Sequence, residues 1–299
     1  QDGSKYYHPP SKTNIAGLTV REINRIVMQV FEINQILEKN FGIDENLRFL
    51  DVGTGNGMVP KLLCEIRCNV YAHAIDPFLH GGHTTSWQKS DLVEDLEKCR
   101  QNWFSNFEEH GSQKTNSFYF EQKCYLNELL SEKDFMYFDV VYSKAIEHVP
   151  DWVDFAKDLT KTLKKGGLLI IKHRSFFSYL GPHRYASTAI PWGHCLLSDE
   201  DYKRYVCKFH NDRKEQMLDF YFKDLSYPRM KMFELDKIMN SFGLKKIFYE
   251  VSEPRYQKLQ EEVIAQNPWL IEAALSCNSN LTKEELTSGL ITTIYKKDL

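Results

Sequence analysis

Between Thr19 and about Phe41 the apolar residues Ile23, Ile26, Val27, Val30, Phe31, Ile33 and Leu37 return at helical spacing among polar neighbours, which predicts an amphipathic helix. Thr19, with Glu22 three residues later, predicts a capping box at its start. Beyond it the period switches. Short apolar runs at residues 48–52, 69–75, 117–124, 138–142 and 167–172 read as strands, with helical patterns at 60–67, 90–108 and 152–163 between them. Such alternation predicts a parallel sheet with helices on both faces, an α/β fold. The repeat then breaks: residues 175–230 are irregular and rich in aromatics, histidine, proline and glycine. A loop of that length is usually functional, so residues 176–230 are expected to form a substrate lid. A helix at 232–241 and strands at 245–251 and 290–296 close the pattern. The expected organisation is an N-terminal arm and helix over 1–46, then one domain over 47–299 that carries the lid. The Pro-rich start, Lys5 to Pro10, reads as an arm over the site or a disordered tail.

Composition narrows the class. The chain has 299 residues, 42% hydrophobic and 26% charged, with a mean hydropathy of -0.47. No apolar run reaches the roughly 20 residues that span a bilayer, so a soluble globular protein without a membrane span is expected. A net charge of -3 gives no basic footprint, which argues against a nucleic-acid partner. The seven cysteines form no CxxC pairs, so reduced thiols are expected rather than a zinc site or disulfide framework. The chain opens at Gln1 with no charged-then-apolar leader. A cytoplasmic location is expected, and the chain reads as trimmed or as one domain of a longer protein. Nothing in the pattern fixes an oligomeric state.

The chemistry starts where the first strand ends. Leu47-Arg-Phe-Leu-Asp51-Val-Gly53-Thr54-Gly55-Asn-Gly57 runs from a hydrophobic strand into a glycine loop and then into helix. Glycines allow a tight strand-to-helix turn and a close backbone approach to a ligand. A dinucleotide fingerprint would need its third glycine at position 58, where Met58 stands, so a nicotinamide oxidoreductase is disfavoured. The next strand ends in Asp76-Pro77-Phe78, where a carboxylate can accept from two ribose hydroxyls and a neighbour can pack on a flat base.

Four segments in order carry a resemblance: the loop from Asp51 to Gly57, Asp76 to Phe78, the run from Phe138 to Val149, and Leu163-Lys-Lys-Gly166-Gly167 with the strand after it. Together they resemble class I S-adenosylmethionine-dependent methyltransferases. The resemblance implies a Rossmann-like fold with a seven-stranded, mostly parallel sheet, and S-adenosylmethionine as cofactor. By that resemblance Asp51, Gly53, Thr54, Gly55 and Gly57 hold the amino-acid end of the cofactor, Asp76 its ribose, and Pro77, Phe78, Tyr125 and Ser143 its surroundings. Tyr125 reads equally as a core aromatic, and Gly166-Gly167 as the end of a helix.

Ligands in open α/β sheets bind beyond the carboxyl ends of the strands. Methyl transfer to a hydroxyl needs alignment and removal of a proton, for which histidine is suited. His148, His173, His183 and His194 are therefore the candidate bases. Arg174 and Arg184 are candidates to hold an acidic or phosphorylated acceptor, and Tyr185 and Trp192 to stack on it or, alternatively, to pack the core. His80, His83, His183, His194 and His210 supply possible metal ligands, but their spacing matches no known site, so no metal is expected. The insertion is loosely similar to those of bacterial methyltransferases that modify glycans or small metabolites. The leading expectation is O-methylation of such an acceptor. N-methylation of a small molecule, and an inactive cofactor-binding domain that organises partners for glycan assembly, are the alternatives.

Overall fold

A computed structural model describes residues 20–55, 57–77, 118–122, 124–132, 137–225, 229–254 and 256–298. The Thr19 cap, the arm from Lys5 to Pro10, the helix expected at 90–108, Phe78, His80 and His83 lie outside these residues. Helix α1 (Val20–Asn40) buries Ile26, Val30, Ile33 and Leu37 but leaves Val27 and Phe31 exposed. Steps of four, three and four residues keep one stripe over the core, and the two exposed positions fall off it. Gln29 on that side donates to the Tyr142 hydroxyl at 3.2 Å.

The strands β1 (Leu47–Val52), β2 (Val70–Asp76), β3 (Phe118–Gln122) and β4 (Phe138–Ser143) follow, with helices α2 (Met58–Ile66) and α3 (Leu126–Glu132) among them. In β1 and β2 nearly every residue is buried, as a parallel sheet covered on both faces requires. The pairings β1–β2, β1–β4 and β2–β3 are all parallel, with Leu47 opposite Val70, Phe49 opposite Val140 and Ala72 opposite Phe118. Helix α4 (Trp152–Thr162) leads into β5 (Leu163–His173). After the insertion come α9 (Met232–Ser241), β6 (Leu244–Val251) and β7 (Ile291–Lys297). The seven strands are ordered β3-β2-β1-β4-β5-β7-β6, and β6 and β7 are antiparallel. This is the expected Rossmann-like, mostly parallel sheet.

Two expectations change. Gly166 and Gly167 do not end a helix: α4 stops at Thr162 and both glycines lie within β5. The reason is close packing, since a Cβ on Gly167 would come within 2.9 Å of the Lys164 carbonyl and 3.0 Å of the Asp139 carbonyl. Second, the stretch expected to be irregular is largely helical. It holds α5 (His183–Ala186), α6 (Gly193–Leu196), α7 (Asp199–Phe209), α8 (Lys214–Asp219) and a π-turn over Phe220–Asp224. Near the C-terminus α10 (Gln257–Gln266), α11 (Trp269–Cys277) and α12 (Lys283–Thr287) form where no helix was expected. The two groups share an apolar core in which Phe177, Trp192, Tyr202 and Tyr221 pack with Ile271 and Leu286. Tyr202 and Tyr221 stack at 3.7 Å, and Ser198 caps α7 by accepting from the Asp201 N–H at 3.1 Å.

By compactness the chain divides into two units, one of the residues up to Ser143 with Lys161–Leu168, the other of Lys144–Thr160 with the residues from Leu169 onward. No helix among the described residues is long and apolar enough to cross a membrane.

Candidate active site

The first unit holds the glycine loop. Gly53, Gly55 and Gly57 have φ of 74°, 68° and 70°, the left-handed region that side chains with a Cβ occupy only under strain. The Gly53 and Thr54 N–H groups donate to the Ile75 carbonyl at 3.0 and 3.2 Å, which folds the loop over the end of β2. Thr54 Oγ1 donates to Asp51 Oδ2 at 2.7 Å, and the Gly55 N–H donates to Asp76 Oδ2 at 2.7 Å. Both carboxylates are almost wholly buried, Asp51 at 2% and Asp76 at 4% exposed. Two buried carboxylates at adjacent strand ends, bracketing a left-handed glycine loop, make an acceptor set fitted to a ligand that carries an ammonium group and a vicinal diol. S-adenosylmethionine carries both.

The neighbouring residues serve this frame in different ways. Ser143, fully buried, donates from its hydroxyl to the Val52 carbonyl at 3.0 Å and so ties the end of β4 to that of β1. Tyr125 is 52% exposed, and its backbone N–H donates to Glu128 Oε2 at 2.7 Å at the start of α3. Pro77 is half-buried.

The second unit holds the histidines. Just past β4, Ile146–His148 form a 3-10 turn, anchored by buried Ile146, whose carbonyl accepts from the Trp152 indole at 3.1 Å. His148 Nδ1 lies 2.7 Å from the Asp224 carbonyl. The His148 and His183 rings stack with centroids 5.4 Å apart and planes 29° off, and Phe220 meets both edge-on. Glu147 joins them, with Oε1 3.9 Å from His183 Nε2. Its Oε2 is buried with no hydrogen-bond partner among the described residues. Burial pushes the Glu147 carboxyl up to about 7, opposed by its own backbone N–H and by Lys144 and Arg174. His183 has a φ of 55°, an uncommon conformation for a residue with a side chain.

The structure thus brings His148 and His183 together with Glu147 and leaves His173 and His194 out of that group. Burial lowers His173, 3% exposed, to about 4, with Asp236 opposing. It lowers His194, 6% exposed, to about 3. Arg174 bears on the cluster through its charge on Glu147, whereas the Arg184 side chain lies outside the described residues. Tyr185 packs on Phe220 at 5.2 Å. Trp192 lies in the helical core, its indole N–H donating to the Leu286 carbonyl at 3.0 Å. A separate pocket in this unit is lined by Tyr179, Leu180, Ser187, Thr188, Trp192 and His194, among others. Glu147 was missed as a candidate although it precedes His148. The available signal was an acidic residue set in an apolar run, beside Ile146.

A mostly parallel seven-stranded sheet with a glycine loop between two strand-end carboxylates defines an S-adenosylmethionine-dependent methyltransferase. The chain belongs to the methyltransferase-domain family, whose model matches residues 27–246; the protein is an enzyme of this class and S-adenosylmethionine is its cofactor. No curated protein sequence matches it. Among solved structures it is similar to a protein assigned as a sarcosine dimethylglycine methyltransferase from Galdieria sulphuraria (11% identity, TM-score 0.49, covering 91% of this chain and 85% of the other). Phosphoethanolamine N-methyltransferase 2 of Haemonchus contortus gives 15% identity and a TM-score of 0.45, covering 90% of this chain and 53% of that one. A methyltransferase from Archaeoglobus fulgidus gives 15% identity and a TM-score of 0.46, covering 91% and 94%. The family assignment rests on the sequence model, not on these distant likenesses.

Proposed function

We propose that this methyltransferase transfers its methyl group to a hydroxyl oxygen, on a sugar, a glycan or a hydroxylated small metabolite. The observation that carries the reading is the group formed by Glu147 and His148, just past β4, with His183 of α5. An oxygen acceptor must lose its proton as it attacks, and a carboxylate beside two imidazoles is a set that can receive a hydroxyl and its proton. When bound, S-adenosylmethionine supplies a methyl group activated on a sulfonium centre. Asp51, Thr54 and the glycines at 53, 55 and 57 would hold its amino-acid end, and Asp76 would accept from its ribose hydroxyls. Pro77, Phe78 and Tyr125 are the residues for its base, while Ser143 acts by holding the strand ends. For the acceptor, the pocket of Tyr179, Ser187, Thr188, Trp192 and His194 combines aromatic faces with hydroxyls, a lining suited to a polar ring. Arg174 and Arg184 would engage an acidic or phosphorylated form of it, and Tyr185 would pack along it. Residues 176–230 act in this reading as the specificity segment.

The test is incubation with methyl-deuterated S-adenosylmethionine and matched panels of hydroxyl and amine acceptors, among them nucleotide sugars, phenols and hydroxy acids. Labelled methyl ethers are the expected products. Label on amines alone would overturn the reading, and cofactor binding without transfer to any acceptor would favour the partner-organising alternative.

A further inference from the structure

We propose that Glu147, His148 and His183 bind one divalent transition-metal ion of the borderline class, with Zn2+ as the reference ion. One ligand atom from each residue, two imidazole nitrogens and a carboxylate oxygen, lies within 4.8 Å of the others. That donor set suits Zn2+, Co2+ or Fe2+ rather than Ca2+ or Mg2+, which prefer oxygen throughout.

Three further observations point to a cation. First, the Asp224 carbonyl 2.7 Å from His148 Nδ1 can only accept, so Nδ1 carries a hydrogen and, in the neutral ring, the lone pair is on Nε2. A backbone carbonyl that fixes the tautomer from behind is the usual outer support of a metal-bound histidine. Second, Glu147 Oε2 is buried without a hydrogen-bond partner among the described residues. Its Oε1 is 3.9 Å from His183 Nε2, too long for a hydrogen bond. Ligand atoms about 2.1 Å from a shared ion are roughly 3 to 3.5 Å apart, so from separations of no more than 4.8 Å metal binding asks for a closure of at most about 2 Å. Third, His183 is held at a φ of 55°, and its carbonyl accepts from Ser187 Oγ at 2.5 Å. Backbone strain of this kind persists where the surroundings fix a side chain for a task. The sequence could not show the site, because His183 is far from Glu147 and His148 along the chain and meets them only through the fold.

Three protein ligands leave open positions on the ion, the arrangement of catalytic rather than structural sites. A hydroxyl oxygen that takes one of them would lose its proton to water more readily, the three side chains then serving as ligands in place of acting as the base. This use of the ion rests on the O-methylation reading; binding of the ion does not.

The experiment takes the full chain, free of any affinity tag, stripped with a chelator and titrated with Zn2+ by calorimetry and with Co2+ by visible absorption. One ion per chain, with cobalt d–d bands typical of nitrogen and oxygen ligands, is expected. Glu147→Gln and His183→Gln should each weaken binding by at least about 10-fold, with circular dichroism showing that they remain folded. A His80→Ala/His83→Ala variant should bind as the parent does. Absence of stoichiometric binding by the folded chain, or binding unchanged in both Glu147→Gln and His183→Gln, would overturn the site. Methyl transfer is assayed on the same samples. Ether formation that persists in a metal-free chain sinks the catalytic use of the ion and leaves O-methylation standing, while the titrations alone decide the site. Metal binding without transfer to any hydroxyl sinks O-methylation and leaves the metal site standing.

Discussion

Asp76 receives the Gly55 N–H at 2.7 Å while 4% exposed, so one carboxylate shapes the glycine loop and, in the proposed reading, also accepts from the ribose. Asp76→Ala removes both roles and should weaken S-adenosylmethionine binding by at least about 10-fold, roughly 1.4 kcal/mol, in a calorimetric titration. Gly55→Val acts differently. At a φ of 68° a branched residue costs about 1–2 kcal/mol of backbone strain, so it should lower stability as well as affinity. An equal affinity in both variants and the parent would place the cofactor elsewhere. The buried histidines make a second prediction. His173 and His194 are lowered to about 4 and about 3, below the ordinary value of 6.5. The unfolded chain therefore takes up protons first: the stability they preserve is full above pH 6.5 and is lost as pH falls toward 4 and 3. At pH 5 each should have lost roughly 2 kcal/mol. Calorimetric melting at pH 7.5 and pH 5 should show the drop, and His173→Gln/His194→Gln should flatten it. An equal drop in that variant would assign the acid sensitivity to other groups. At this scale the cofactor loop was legible because Asp51 to Gly57 are contiguous. The Glu147–His183 pairing was not, because no local pattern records a contact between distant residues.

Among the elements, the strands read well and the insertion did not. Strands β1, β2 and β4 begin and end within about two residues of the expected bounds, because buried parallel strands are nearly continuous apolar runs closed by turn formers. The four-residue helices α5 and α6 are too short to show a 3.6-residue period. In α10 the buried residue is Gln260, so no apolar stripe marks it. The core between the insertion and the C-terminal helices is instead fixed by shape. A Cβ on Gly181 would lie 1.8 Å from the Phe176 carbonyl oxygen and 2.5 Å from that of Ser175, and backbone atoms cannot swing aside. Gly181→Ala should therefore cost about 3–5 kcal/mol in urea unfolding. Gly243 offers the contrast: its φ is 76° but a Cβ there meets nothing within 4 Å. Gly243→Ala should cost only about 1–2 kcal/mol, the backbone strain alone. Similar losses in the two variants would mean that the turn before α5 yields more readily than its packing implies.

For the whole molecule, cofactor choice becomes a stability measurement. A ligand that binds only the folded chain adds RT ln(1 + [L]/Kd), about 2.7 kcal/mol at one hundred times Kd, a rise of several degrees in Tm for a chain of this size. S-adenosylmethionine should give that rise and NADH should not. The sign of charge supports the distinction: the loop lies between the buried carboxylates of Asp51 and Asp76, which would attract the ammonium of one ligand and repel the pyrophosphate of the other. The helix that follows begins at Met58, where a dinucleotide loop would need a glycine for close packing. With a net charge of -3 the chain supplies no general pull on an anion to compensate. Melting with each ligand, in the parent chain and in Asp76→Ala, checks the argument. A shift with S-adenosylmethionine that disappears in the variant, and none with NADH in either, is the expected pattern. A comparable shift with NADH would mean that the loop tolerates a pyrophosphate between its two carboxylates, and the charge argument for the cofactor would fall with it.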